Sequence, residues 1–495
     1  MERSIQYLRK LKKHKEFILL FLIASLLIFL NLGDRALSGD EYVAVRSPIY
    51  LLEHGYPLDT DLVGQTQDVW LTKVGSNEVW RLNTWLREYL IAGSLKLFGI
   101  TYFAYRFPFA LFGLLTILLV YIFANEIYSK KIALISSMLL SFNILFILHV
   151  RFAAYYSISI FFFTLSVYMF HRYLNEKKNY LALSLILLFH SNLFCFFTTI
   201  FTFAAYYFFF HKKNYVKILK TYLFIALFTL PWFVLTNQFD KLGITTHNDS
   251  MLIRIGLFVF YFLFFIFPAI FIFDIKRYIR EKFLIPIIVL SLFFMVFIPT
   301  YELPQVRYLV FLLPIVSIML ATTIVSFKKL VALICILSLI TTNVLYIFPL
   351  GIYKPYEFNM SIIEKQSKNY FIERSMGLRF DLFNYLYEIT HHVDTAEQDV
   401  IDFLNSHGSP YQTVSNDQMT RGELFFVDKV YVRETTLVDW YVSRKEIDLP
   451  DYNMHILLTT SDVWSGTPDL VHHRFNNDRK GVVYIYEKRD LINGK

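Results

Sequence analysis

The sequence predicts a polytopic α-helical membrane protein, with about eleven transmembrane helices and a small water-soluble α/β domain at its C-terminal end. Three observations predict this class. Of the 495 residues, 56% are hydrophobic. Only 18% are charged and the mean hydropathy is +0.45, whereas soluble domains carry roughly a quarter charged residues. The basic residues fall in clusters between apolar runs, the pattern of a chain threaded repeatedly through a bilayer. Together these exclude a soluble enzyme, a disordered chain and a disulfide-stapled secreted module. The 52 Phe and 34 Tyr suit lipid-facing and interfacial surfaces.

Charge divides the chain into a membrane domain, 1–350, and a soluble domain, 351–495. Residues 1–349 hold 32 Lys+Arg against 18 Asp+Glu, while residues 350–495 hold 16 against 22. The net charge of +8 does not imply nucleic acid, because the basic excess lies between apolar segments, where it sets topology. Cys195 and Cys335 both sit inside apolar stretches, so neither a disulfide framework nor a thiolate metal site is supported.

A spanning helix needs ~20 apolar residues. The first span, Phe17 to Leu32, follows the basic stretch Arg9 to Lys15. The first outer loop, 33–101, is long and polar. The later spans come mostly in pairs between basic clusters: Lys130-Lys131; Arg172 with Lys177-Lys178; Lys212-Lys213 with Lys217 and Lys220; Lys276-Arg277 with Arg280 and Lys282; and Lys328-Lys329. With these clusters and the N-terminus cytoplasmic, that side holds 21 of the 32 basic residues and 6 of the 18 acidic ones. Parity follows. Residues 132–171 make two spans turning at His149-Val150-Arg151, and residues 179–211 make two short ones turning near His190-Ser191-Asn192. A last span, Leu330 to Leu350, leaves the tail extracytoplasmic. In the tail, Asp399 to Ser406 reads as an amphipathic helix. Leu424 to Val427, Ile456 to Thr459 and Val482 to Ile485 read as strands.

Chemistry is expected in the outer loops. Asp40-Glu41 stands just after the first span, where adjacent carboxylates repel and are costly to desolvate. Asp40 is either a helix N-cap for residues 41–54 or, with Glu41, a general base or a ligand for a divalent cation such as Mg or Mn. Arg106, Arg151 and Arg307 each flank a span on the outer side, where the positive-inside rule gives no reason for them. Each alone is also explained by snorkelling to headgroups; three on one side suggest an anionic ligand, which guanidinium binds in a planar, bidentate way. Tyr155, His190, Glu302 and Tyr308 complete the candidate binding set. His149, Tyr156 and Tyr301 share the same turns, and aromatic belts explain most of this content. His54 ends a helix capped by Gly55, and His391-His392 lacks a third partner at metal-ligand spacing. No P-loop, dinucleotide fingerprint, zinc motif or nucleophile elbow is present. That argues against a nucleotide or organic cofactor.

Four stretches, in order, carry a resemblance. They are Gly39-Asp40-Glu41-Tyr42 continuing to Leu51-Leu52-Glu53-His54-Gly55-Tyr56-Pro57; Leu97-Phe98-Gly99-Ile100 continuing to Tyr105-Arg106-Phe107-Pro108 and Leu111-Phe112-Gly113; His149 to Ser157; and Gln305-Val306-Arg307-Tyr308 continuing to Phe311-Leu312-Leu313-Pro314. The chain resembles the GT-C-fold glycosyltransferases that use polyprenyl-phosphate sugars, above all the protein O-mannosyltransferases and the lipid A aminoarabinose transferase. The resemblance implies a sugar donor on a polyprenyl phosphate in the lipid bilayer and an extracytoplasmic acceptor. It implies a base in the first loop, Asp40 with Glu41 as neighbour, attack with inversion, and arginines, Arg151 and Arg307, on the leaving phosphate, often with a divalent cation. Two departures stand out. The second-loop motif reads Phe152-Ala153-Ala154-Tyr155-Tyr156 where many members carry an acid, and Arg81-Leu82-Asn83-Thr84-Trp85-Leu86 replaces a Pro-rich stretch. A transporter or flippase of a lipid-linked anion would place charges deep in its spans and break helices at the midplane; here charges sit mainly at span ends. A non-catalytic scaffold would leave Asp40 dispensable.

Overall fold

The computed structural model describes residues 14–34, 37, 41, 47–57, 71–74, 77–80, 84–177, 180–211, 215–236, 251–252, 254–256, 258–259, 281–298, 306–344, 385, 389, 396–407, 412–416, 430–431, 438–443, 446–458 and 482–489. Its helices in the membrane domain are α1 (Lys15–Phe29), α2 (Ser47–His54), α3 (Leu86–Phe98), α4 (Tyr102–Ile127), α5 (Lys130–Ser141), α6 (Ile144–Val150), α7 (Tyr156–Leu174), α8 (Leu181–Ser191), α9 (Leu193–Tyr206), α10 (Tyr215–Leu235), α11 (Leu284–Phe297), α12 (Leu313–Ile324) and α13 (Lys329–Val344). Between α2 and α3 a hairpin pairs β1 (Leu71–Val74) with β2 (Asn77–Trp80).

The central element is α4. Thr101 caps it by accepting from the Ala104 amide at 3.1 Å, and it packs on α1, α3, α5, α7 and α12. Arg106 near its start and Glu126 near its end stand about 30 Å apart at 1.5 Å per residue, the thickness of a bilayer's hydrocarbon core. At the Glu126 end, Glu126 pairs with Arg172 at 3.2 Å and Lys177 at 3.0 Å, and Lys130 pairs with Glu16 at 2.9 Å. His14 there meets the Tyr121 hydroxyl at 2.7 Å. His14, Glu16, Lys130, Arg172 and Lys177 thus share one end of the bundle, as parity requires.

Local chemistry sets the helix breaks. Asn143 caps α6 by accepting from the Phe146 amide at 3.0 Å, and α5 and α6 bend by 67°. Asn192 accepts from the Cys195 amide at 2.8 Å and turns α8 into α9, at the expected place. Gly55 closes α2 at φ +82°. Among the described residues, Tyr102–Ile127, Leu193–His211 and Tyr215–Leu235 are long and apolar enough to cross a membrane, with the bent pair a fourth. Leu181–Ser191, Leu284–Phe297 and Val310–Ile324 are shorter apolar helices at the positions of expected spans. Of the pair expected between Lys220 and Lys276, α10 is the first; the second falls largely outside the described residues. Leu19, Leu22 and Leu26 on α1, and Leu223, Leu227 and Leu230 on α10, face outward. A bilayer covers such surfaces.

In the tail, α14 (Ala396–Ser406) lies on a five-stranded sheet of β3 (Thr413–Asn416), β4 (Val430–Tyr431), β5 (Trp440–Ser443), β6 (Tyr452–Leu458) and β7 (Val482–Lys488), ordered β4-β3-β5-β7-β6. Val400, Ile401 and Leu404 bury against Val414, Trp440, Val442 and Ile485. The expected strand at Leu424 to Val427 lies outside the described residues.

Gly113 decides how closely α4 meets α6. A Cβ added there would sit 2.5 Å from the Cβ of Val150, which is fully buried. Gly113→Ala is expected to lower stability by about 1–3 kcal/mol through overpacking, and Val150→Ala on top of it should restore part of the loss. Thermal melts of the detergent-solubilised variants check this.

Candidate active site beside the first loop

Glu41 is the hub of the site. It is fully buried, at 0% exposure, as is Arg106 at 1%. Arg106 donates from Nε to Glu41 Oε1 at 2.8 Å and from Nη2 to Oε2 at 2.9 Å. The Ala153 amide donates to the same Oε1 at 2.9 Å. Arg106 also donates to the Leu32 carbonyl at 3.2 Å. The planar fork of Arg106 thus matches the carboxylate in bidentate fashion, joining the first loop, α4 and the turn after α6. These contacts commit Glu41 to framework bonding. Its neighbour Asp40 and the candidate Glu302 both lie outside the described residues.

Arg151 is likewise built into the framework. Its Nη1 donates to the carbonyls of Ile28 and Leu30, each at 2.8 Å, and lies 3.5 Å from that of Leu27. These belong to the last turn of α1, where helical carbonyls lack intrahelical donors and a cation is favoured. The Tyr385 ring lies 5.5 Å from the Arg151 guanidinium, and its hydroxyl donates to the Leu27 carbonyl at 2.6 Å.

Arg307 differs. It is half-buried, in a turn of 3-10 helix before α12. Its Nη1 donates to the Tyr156 hydroxyl at 3.1 Å, and its guanidinium lies 5.6 Å from the Tyr308 ring. Tyr156 packs against Tyr155 at 4.6 Å and edge-on against His149 at 5.1 Å between ring centroids. Tyr308 in turn packs on Phe194 at 5.0 Å. Arg307, Tyr308, Tyr155 and Tyr156 therefore form a second group, and the residues between Ala153 and Tyr156 join it to the Glu41 hub. His190 ends α8 beside Phe189, with ring centroids 5.0 Å apart, and joins neither group among the described residues.

Two residues escape the sequence reasoning. Arg87 and Glu88 open α3, buried at 2% and 0% exposure. Arg87 Nη2 donates to the Glu41 backbone carbonyl at 3.4 Å, and its Nη1 stands 3.9 Å from Glu88 Oε1. Burial pushes the Glu88 carboxyl up to about 7, against the pull of Arg87. The one available signal was an adjacent Arg-Glu pair at the start of a largely apolar helix. Among the described residues, no three His, Cys, Asp or Glu side chains gather as a metal site, and Glu41, committed to Arg106, does not fit as a ligand.

Residues 84–236 match the family described as dolichyl-phosphate-mannose-protein mannosyltransferase. A protein of Aquifex aeolicus (strain VF5), described as an uncharacterized protein, is 31% identical over 169 residues. That alignment covers 34% of this chain and 31% of the relative, so the chain spans about a third of the curated relative's length. Among solved structures, ArnT from Cupriavidus metallidurans bound to undecaprenyl phosphate superposes with a TM-score of 0.59 at 13% identity, covering 95% of this chain and 98% of that one. The Archaeoglobus fulgidus oligosaccharyltransferase tethered with an acceptor peptide gives 0.50 at 12% identity, covering 87% and 65%. The fold is GT-C, and the chain is a polytopic helical membrane protein. It resembles the GT-C glycosyltransferases that use polyprenyl-phosphate donors.

The raised Glu88 value fixes a pH dependence. The folded protein keeps this proton up to about 7, whereas the unfolded chain loses it near the ordinary 4.5. Folding stability from this group therefore falls as pH rises from 4.5 to 7, by about 3 kcal/mol in total. Glu88→Gln lacks that loss. The difference in melting temperature, variant minus wild type, should grow from pH 4.5 to 7 and level off above it.

Proposed function

We propose that this chain is an integral membrane glycosyltransferase. It moves a sugar from a polyprenyl-phosphate carrier to an extracytoplasmic acceptor, which is a protein, lipid or glycan. The observation that carries this reading is the Glu41–Arg106–Ala153 junction. It fixes the residue next to Asp40 against the turn that leads to Arg307. The residue next to the proposed base and a cation for phosphate are then held on one framework. The fold likeness to ArnT, solved with undecaprenyl phosphate, supports the donor class.

In this reading the N-terminus and the Glu126 end face the cytoplasm, eleven spans cross the bilayer, and the α/β tail lies outside. The donor arrives from the lipid and the acceptor from the aqueous side. Asp40 takes the proton of the acceptor hydroxyl. The freed oxygen attacks the anomeric carbon from the face opposite the phosphate, so configuration inverts. The bond from carbon to phosphate oxygen breaks, and polyprenyl phosphate leaves as an anion. Arg307 stabilises that negative charge, an electrostatic effect that grows in a site from which water is excluded. Tyr156 and Tyr308 orient its guanidinium. Arg106 and Arg151 hold the framework rather than the phosphate. A divalent cation such as Mg or Mn would add positive charge at the phosphate, with Asp40 as its first candidate ligand.

Incubating the purified protein with a panel of polyprenyl-phosphate sugars should consume at least one donor. Asp40→Asn should lower kcat by about a thousandfold, the scale of general-base loss, while the protein still inserts and folds. Arg307→Ala should cut kcat/KM by about 10²–10³, as for loss of one charge-stabilising donor, and affect donor use more than acceptor use. Wild-type turnover in Asp40→Asn would remove the base assignment.

A further inference from the structure

Glu88 presents a physical problem that the reaction above leaves untouched. It has no exposed surface, and neither carboxyl oxygen has a hydrogen-bond partner among the described residues. The buried hydroxyls of Thr84 and Ser47 are also without partners there; Ser47 opens α2, which packs on α3. A buried carboxyl without hydrogen bonds is destabilising, and an apolar side chain of similar size would be better tolerated. The nearest charge in an ion pair with it is Arg87, at 3.9 Å.

That approach is itself unusual. Consecutive residues on a helix point about 100° apart and do not ordinarily face each other. Here packing turns both side chains into the same interior. With no accessible surface, Glu88 does not touch a substrate, so any influence on the site passes through a neighbour. Arg87 is that neighbour: its other terminal nitrogen reaches the backbone carbonyl of Glu41. Glu41 is therefore held twice, by Arg106 at the carboxylate and by Arg87 at the main chain.

We infer that Glu88 is a positioning residue, which orients Arg87 and through it fixes the main chain at Glu41. Its effect on turnover rests on the reading of that loop as the catalytic one; its effect on loop order does not. The arrangement trades stability for geometry, as buried functional groups commonly do.

Two measurements test it, on the full-length protein in detergent. Amide exchange across residues 37–47 is compared in wild type, Glu88→Gln, Arg87→Lys and the double variant, without substrate. Exchange there should rise about tenfold in either single variant, a local opening, while the melting temperature of Glu88→Gln at pH 8 does not fall. The double variant should exchange no faster than the singles, since both act through one contact chain. With a donor that wild type consumes, Glu88→Gln should lower kcat about tenfold and leave donor KM within about twofold, the signature of lost alignment rather than lost binding. Unchanged exchange at 37–47 in both single variants, or additive effects in the double, would overturn the inference. A loss confined to KM would do so as well. Arg87→Lys carries the test should Glu88→Gln fail to fold. If wild type consumes no donor at all, the glycosyltransferase reading fails, and the exchange data still decide the role of Glu88.

Discussion

The structure around the first loop depends on one buried ion pair. Glu41 and Arg106 are both withdrawn from water and meet through two parallel hydrogen bonds of 2.8 and 2.9 Å. Removing two such charges from water costs several kcal/mol per ion, and attraction offsets this only where geometry is good and remaining valences are filled. Here they are filled: the Ala153 amide serves Glu41, and the Leu32 carbonyl serves Arg106. Three segments distant in sequence meet at this one point. An apolar contact of equal area would hold them together but would not set their register, because hydrophobic attraction is non-directional. The guanidinium fork is directional, and lysine would not replace it.

That junction divides the arginines at this end of the bundle by role. Arg151 gathers the carbonyls that close α1, and Tyr385 covers it. Arg106 holds the loop. Both are buried and donate to the protein's own oxygens. Arg307 is only half-buried and meets aromatic groups, the Tyr156 hydroxyl and the Tyr308 ring.

Hydropathy and the basic clusters made the architecture legible, because burial in lipid and the positive-inside rule act on runs of residues. The turn at Asn192 and the convergence of Lys130 and Arg172 at one end follow directly from that pattern. The cap at Gly55 was legible for a different reason, since few other residues adopt a positive φ. The break at Asn143 was hidden, because a single capping side chain bends what hydropathy reads as one apolar run. The roles of the arginines were hidden more deeply. An arginine at a span end looks the same in sequence whether it meets a helix carbonyl, a carboxylate or a lipid phosphate, since the partner comes from elsewhere in the chain. Glu88 was hidden for the same reason: its neighbours in sequence do not reveal that its place on α3 is fully buried.

The proposed chemistry explains why so much charge is spent on holding one loop. Its donor arrives through lipid and its acceptor through water, so neither substrate can position the other before both are bound. Alignment then has to come from the protein, and a misplacement of about 1 Å can cost on the order of a hundredfold in rate. A loop at a membrane surface, left to its own hydrogen bonds, samples many conformations. Fixing it through a side chain alone would still leave the backbone free to rotate about that anchor. A second grip at the Glu41 carbonyl removes this freedom, and Arg87 provides it only while something fixes Arg87 in turn. A carboxyl in an ion pair with Arg87 at 3.9 Å, buried where an apolar group would be more stable, has the properties that this task requires.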